Sequence, residues 1–140
     1  MPGIGSSYES SPLYAGTVIW DALDVDRLTQ KAQKAIQAAE ANNELMISDI
    51  SIWEIAMLVS RKKLEIEATV SSFINLYLQY RTILVQPISP EIAELSVSFG
   101  LEINTDPADR IVAATTILKG ARLITADTDL IKSELVPTIW

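Results

Sequence analysis

Asp106-Pro107-Ala108-Asp109-Arg110-Ile111-Val112-Ala113-Ala114-Thr115-Thr116-Ile117-Leu118-Lys119-Gly120-Ala121-Arg122-Leu123-Ile124-Thr125-Ala126-Asp127 reads as a helix, a stop and a strand in immediate succession. Asp106 before Pro107 has the form of an N-cap followed by proline at the first helical position, and Gly120 supplies the stop. The apolar run from Ile111 through Ala114 continues to Ile117 and Leu118, so this helix should be central in the fold. Residues 122–125 form a compact strand that leads straight to Asp127. Strands alternating with helices predict an α/β fold, with a mostly parallel sheet covered on both faces.

The same alternation extends outward. Residues 83–88 read as a strand, and Ser89 with Pro90 opens a helix that ends at Gly100. Residues 70–80 form an amphipathic helix with Phe73, Ile74, Tyr77 and Leu78 on one side. Residues 48–60 read as a helix apolar on most sides, which implies heavy burial. Before it come a short apolar strand at 44–47 and a helix at 26–41, stopped by Asn42 and Asn43. Residues 13–20 hold a short strand or the turn into a helix. Residues 1–12, rich in Gly, Ser and Pro, read as a loose or appended tail, leaving 13–140 as a single domain. Beyond Asp127, a short helix starts at Thr128 and residues 136–140 close the sheet.

Composition narrows the chemistry. The chain has 140 residues, 49% of them hydrophobic, which suffices for one domain with a real core. It has no His and no Cys, which excludes imidazole bases, thiolate nucleophiles, a disulfide framework and the usual zinc ligands. No signal-like segment or long apolar run is visible, so a soluble, cytoplasmic protein with no membrane association is expected. The net charge of −7 opposes general binding to phosphate backbones, so a nucleic-acid substrate needs local cations or a metal ion. Arg61, Lys62 and Lys63 form one cationic cluster and Lys119 with Arg122 another; both also read as solvated helix ends.

Acids stand at the ends of apolar runs: Glu54, Asp106, Asp109 and Asp127. The topology brings several of them to the carboxyl ends of strands, where functional groups gather in such sheets. Carboxylates are hard oxygen ligands suited to Mg²⁺ or Mn²⁺. Each also has a structural explanation. Asp106 caps a helix, Asp109 favours the helix dipole, Glu54 completes a capping box if Ser51 begins its helix, and Asp127 caps the next helix. Together the four favour a metal site over four independent caps. Arg110 is suited to a phosphate contact or to a salt bridge with an exposed acid.

Trp53-Glu54-Ile55-Ala56, Asp106-Pro107-Ala108-Asp109-Arg110 and Thr125-Ala126-Asp127, in this order and spacing, resemble the PIN-domain ribonucleases, specifically the VapC-type toxins of toxin–antitoxin pairs. The likeness runs from about Thr17 to Trp140. It implies a three-layer α/β/α sandwich with a mostly parallel central sheet, RNA cleavage dependent on Mg²⁺ or Mn²⁺, a homodimer, and inhibition by a cognate antitoxin. Carried over, it makes Glu54, Asp109 and Asp127 catalytic, with Asp106 joining them around the metal. An antitoxin Arg would suit the acidic pocket, and Phe73, Tyr77 and Tyr80 are candidates for a protein interface or for ordinary packing. One departure stands out. Such proteins begin with a strand ending in Asp-Thr, and counting back from Val18-Ile19-Trp20 puts Tyr14 and Ala15 there. The resemblance therefore carries an alternative: a catalytically impaired domain that binds an antitoxin or itself. A phosphoryl-transferring receiver domain would need paired acids after its first strand, and this chain has none there.

Overall fold

In the computed structural model, which describes residues 11–62 and 65–140, the alternation forms two parallel sheets joined edge to edge. β1 (Ser11–Pro12), β2 (Leu45–Ser48) and β3 (Leu84–Gln86) make the first, and β4 (Leu123–Ile124) with β5 (Thr138–Ile139) the second. A parallel bridge between Leu13 and Ile124 joins them, so the strand order is β3-β2-β1-β4-β5. Pro12 limits that junction. The N–H groups of Ser11 and Leu13 donate to Glu44 and Met46 on the β2 side, which turns Pro12 toward β4 with no N–H to offer. The link to β4 is therefore made beyond it, where the Tyr14 N–H donates to the Ile124 carbonyl. Ser11 and Pro12, assigned to the tail from sequence, are thus the first strand. The rest of that tail, residues 1–10, and Lys63 of the expected cationic cluster lie outside the described residues.

Helices cover both faces: α1 (Ala15–Leu23), α2 (Gln30–Ala41), α3 (Asp49–Ser60), α4 (Val70–Arg81), α5 (Pro90–Ser98), α6 (Pro107–Leu118) and α7 (Thr128–Lys132). Successive strand residues point to opposite faces, and two cores result. Leu13, Leu45, Ile47 and Ile124 pack with Val18, Ile36, Ile55 and Ile74 of α1 to α4 on one side. Leu123 packs with Val112, Ala113 and Leu130 of α6 and α7 on the other. This is the three-layer α/β/α arrangement expected.

Several expectations need correction. The helix expected from residue 26 starts at Gln30, because the Thr29 hydroxyl caps the Ala32 N–H and residues Val25–Arg27 form a separate 3₁₀ turn. The helix expected to be heavily buried, α3, buries only Ser51 and Ile55, and Trp53 is 54% exposed. For Tyr77 the packing reading holds: its hydroxyl donates at 2.6 Å to Asp21, whose carboxylate Arg81 also grips through two nitrogens at 2.8 and 2.9 Å. Arg81 reaches Glu40 as well, so this network pins α1, α2 and α4 together. Phe73 is half-buried; of the three aromatics only Tyr80 is mostly exposed.

Candidate metal centre

The strand order reverses direction between β1 and β4, and in open parallel sheets ligands bind at the carboxyl ends of the strands where that reversal opens a crevice. Tyr14 directly follows Leu13 at the end of β1, and Asp127 lies three residues beyond β4. Asp109 comes from the first turn of α6 and Glu54 from the second turn of α3.

Local chemistry fixes each acid. The Asp106 carboxylate accepts the N–H groups of Ala108 and Asp109 at 2.8 and 3.1 Å, so the expected cap is real and it starts α6 beside the crevice. Glu54 is not a capping-box residue. Ser48 caps α3 by accepting from the Ile50 N–H, which leaves Ser51 and Glu54 inside the helix. Asp127 caps α7 through Oδ1, which accepts from the Leu130 N–H at 3.0 Å.

Three acids converge. Glu54, Asp106 and Asp109 each offer a carboxylate oxygen, and these oxygens lie within 4.8 Å of one another. That is near the roughly 4 Å between opposite ligands on one Mg²⁺ ion. Asp127 lies outside this trio and is joined to it through Tyr14. The Tyr14 hydroxyl donates to Asp109 Oδ1 at 2.8 Å and reaches Asp127 Oδ2 at 3.5 Å. Asn104 holds Asp109 from the other side, donating to Oδ2 at 2.9 Å while its carbonyl accepts the Asp106 N–H at 2.8 Å.

Sequence reasoning missed both contacts. An Asn two residues before a helix-capping Asp is an Asx-turn signal that could have located Asn104. Nothing in the sequence announced that the Tyr14 phenol would turn toward two acids. Arg110 forms no salt bridge with an acid among the described residues: it donates to the carbonyls of Phe99, Gly100, Ile103 and Asn104, clamping the loop that leads into α6.

The electrostatics match a site short of positive charge. Burial, then the charges of Asp109, Asp106 and Asp127, pushes the Glu54 carboxyl up to about 7. Glu54 Oε1 is buried and has no hydrogen-bond partner among the described residues. Burial also raises Asp109 and the charges of Asp106 and Asp127 push the same way, against the hydrogen bonds from Asn104 and Tyr14. Tyr14 is pushed far up, first by burial and then by the Asp109 charge, so its phenol keeps its proton and acts as a donor. An orphaned buried carboxylate oxygen and an all-oxygen donor set fit Mg²⁺ or Mn²⁺.

A groove of about 470 Å³ opens beside the trio, lined by Ile50, Trp53, Glu54 and Met57 of α3, by Arg61 at its C-cap and by Asp106 to Ala108. The α3 residues recur at helical spacing, so one face of that helix forms the wall. Exposed Trp53 projects there beside the acids, and Arg61 stands about 12 Å further along the axis, at 1.5 Å per residue.

Comparison with known proteins bears on the family and the fold. The PIN domain family model matches residues 17–134. Ribonuclease VapC22 of Mycobacterium tuberculosis (strain ATCC 25618 / H37Rv) is 32% identical over 125 residues, covering 86% of this chain and 91% of the relative. A chain in the crystal structure of VapBC2 from Rickettsia felis, bound to a DNA fragment from their promoter, superposes with a TM-score of 0.70 at 15% identity. That match covers 91% of this chain and 96% of the other. A chain of a toxin–antitoxin complex from Klebsiella pneumoniae matches with a TM-score of 0.54 at 24% identity, over 85% and 88% of the two chains. At those identities the two solved structures speak to the fold alone.

Proposed function

The chain belongs to the PIN domain family, and on that footing we propose that it is an Mg²⁺- or Mn²⁺-dependent endoribonuclease, the toxin of a toxin–antitoxin pair. The observation that carries this reading is the convergence of Glu54, Asp106 and Asp109, in which Glu54 also keeps a buried oxygen with no partner among the described residues. A divalent ion held there supplies Lewis-acid charge toward a phosphodiester and lowers the pKa of water. The protein's own groups do the rest. Asp109, braced by Asn104 and Tyr14, presents a fixed carboxylate, and Asp106 adds charge without moving because it is tied down as a cap. Glu54, deprotonated once the ion neutralises the cluster, stands beside the ion as a carboxylate able to orient an attacking water or accept its proton. Asp127, on the β4 side, is linked to Asp109 through the Tyr14 hydroxyl.

The groove supports RNA as the substrate. Trp53 offers an exposed aromatic face for an unpaired base, and Arg61 with Lys62 offers the local cations that a chain of net charge −7 otherwise lacks. The acidic pocket equally suits an antitoxin that inserts an Arg. We place the protein in the cytoplasm as a homodimer; among the described residues no helix is long and apolar enough to cross a membrane.

Tyr14 favours a second reading, in which loss of the first acid leaves an impaired nuclease that serves as a binding protein. Incubating the purified chain with a panel of tRNA and mRNA, with Mn²⁺ and with chelator, separates the two. Metal-dependent cleavage that disappears in Asp109→Asn supports the nuclease, and cleavage unchanged in that variant rules out this site. No cleavage under either condition favours the binding protein.

A further inference from the structure

Tyr14 stands where the strand order reverses, and its hydroxyl lies 2.8 Å from Asp109 Oδ1 and 3.5 Å from Asp127 Oδ2. We propose that the Tyr14 hydroxyl fills the gap between Asp109 and Asp127, withholds Asp127 from direct ligation, and makes this a centre for one divalent ion held by Glu54, Asp106 and Asp109. This inference rests on the metal-site reading above and deepens it by assigning Tyr14 as a positioning residue.

The geometry leads there in three steps. A cation bridging Asp109 and Asp127 would have to occupy the space between their carboxylates, and the phenol oxygen is already in that space. Its O–H dipole points at Asp109, so it partly offsets the repulsion between two acids that a second ion would otherwise offset. Asp127 does not join the trio's closely spaced oxygens: its Oδ1 accepts the Leu130 N–H and its Oδ2 faces the phenol. Glu54, a member of the trio, by contrast keeps a buried oxygen with no partner among the described residues.

A neutral phenol is a donor to carboxylates and a poor partner for a hard cation, so an acid in its place would reverse its effect. Tyr14→Asp would set a third carboxylate near Asp109 and Asp127 and open a second ion position. Tyr14→Phe removes the hydroxyl without supplying a ligand in its place, so a single ion position remains.

Calorimetric titration of the full-length chain with Mn²⁺, paired with electron paramagnetic resonance of the bound ion, tests this directly. The wild type and Tyr14→Phe are expected to bind one ion and Tyr14→Asp two. Asp127→Asn preserves the cap on α7 and should weaken binding by no more than about tenfold, the scale of losing one nearby charge. Asp109→Asn should abolish binding. Two ions in the wild type would overturn the proposal, as would an Asp127→Asn variant as impaired as Asp109→Asn. One ion in both the wild type and a folded Tyr14→Asp would overturn the role given to Tyr14 while leaving the metal site intact. No uptake by the wild type would overturn the metal reading itself and this inference with it.

Discussion

Glu54 holds the most informative single atom in the protein, a buried carboxylate oxygen with no partner among the described residues. Its carboxyl is raised from 4.5 to about 7. The folded state therefore binds more protons than the unfolded chain between those values, and the contribution of Glu54 to stability falls as pH rises through that window. The metal-free protein should lose thermal stability between pH 5 and pH 8, and Glu54→Gln should flatten that dependence. Mn²⁺ should bind more tightly as Glu54 deprotonates and level off above about pH 7, as titrations at several pH values would reveal. Asp106 does two jobs that substitution can separate. Asp106→Asn keeps a capping oxygen and should melt like the wild type, whereas Asp106→Ala should cost about 1 kcal/mol in denaturant unfolding. Both should weaken Mn²⁺ binding.

Helix α6 and the loop before it show what sequence conveyed and what it did not. Asp106-Pro107 and Gly120 marked the helix because capping and left-handed geometry are local requirements, and Gly120 does take a φ of +59°. The heavy burial of α6 was equally legible from its apolar run. The direction of Arg110 was not, because four carbonyls from residues 99–104 become its acceptors only after the loop has folded back on the helix. The α3 wall failed for a related reason: its apolar residues looked like core, yet Trp53 and Met57 line the groove. Strand β1 was hidden because Ser11 and Pro12 have poor strand propensity and are held by pairing with Leu45 and Met46. Arg110→Lys cannot reproduce the forked contacts and should destabilise the fold by about 2 kcal/mol. Because that loop carries Asn104, which braces Asp109, the same variant should also bind Mn²⁺ less tightly.

Across the whole molecule, the β3-β2-β1-β4-β5 order places Tyr14 and Asp127 on neighbouring strand ends while α3 and α6 deliver the other acids. The order of the acid motifs in the sequence was enough to suggest such a site. Which acids meet was not legible, since it depends on long-range packing. The Asp21–Tyr77–Arg81–Glu40 network serves this architecture without touching the trio, as it binds α1, α2 and α4 to one another. Arg81→Ala would leave the Asp21 side chain, 1% exposed, without its counter-charge and should lower unfolding stability by about 3–5 kcal/mol. At temperatures where that variant stays folded, Mn²⁺ affinity should match the wild type. The claim on which everything else depends is that Glu54, Asp106 and Asp109 jointly hold a divalent ion. Anomalous diffraction from crystals grown with Mn²⁺ tests it most directly. One peak within ligand distance of all three acids, with the Tyr14 hydroxyl still between Asp109 and Asp127, is the expected result; a peak held by Asp127 in place of the phenol, or no peak at the trio, would contradict it.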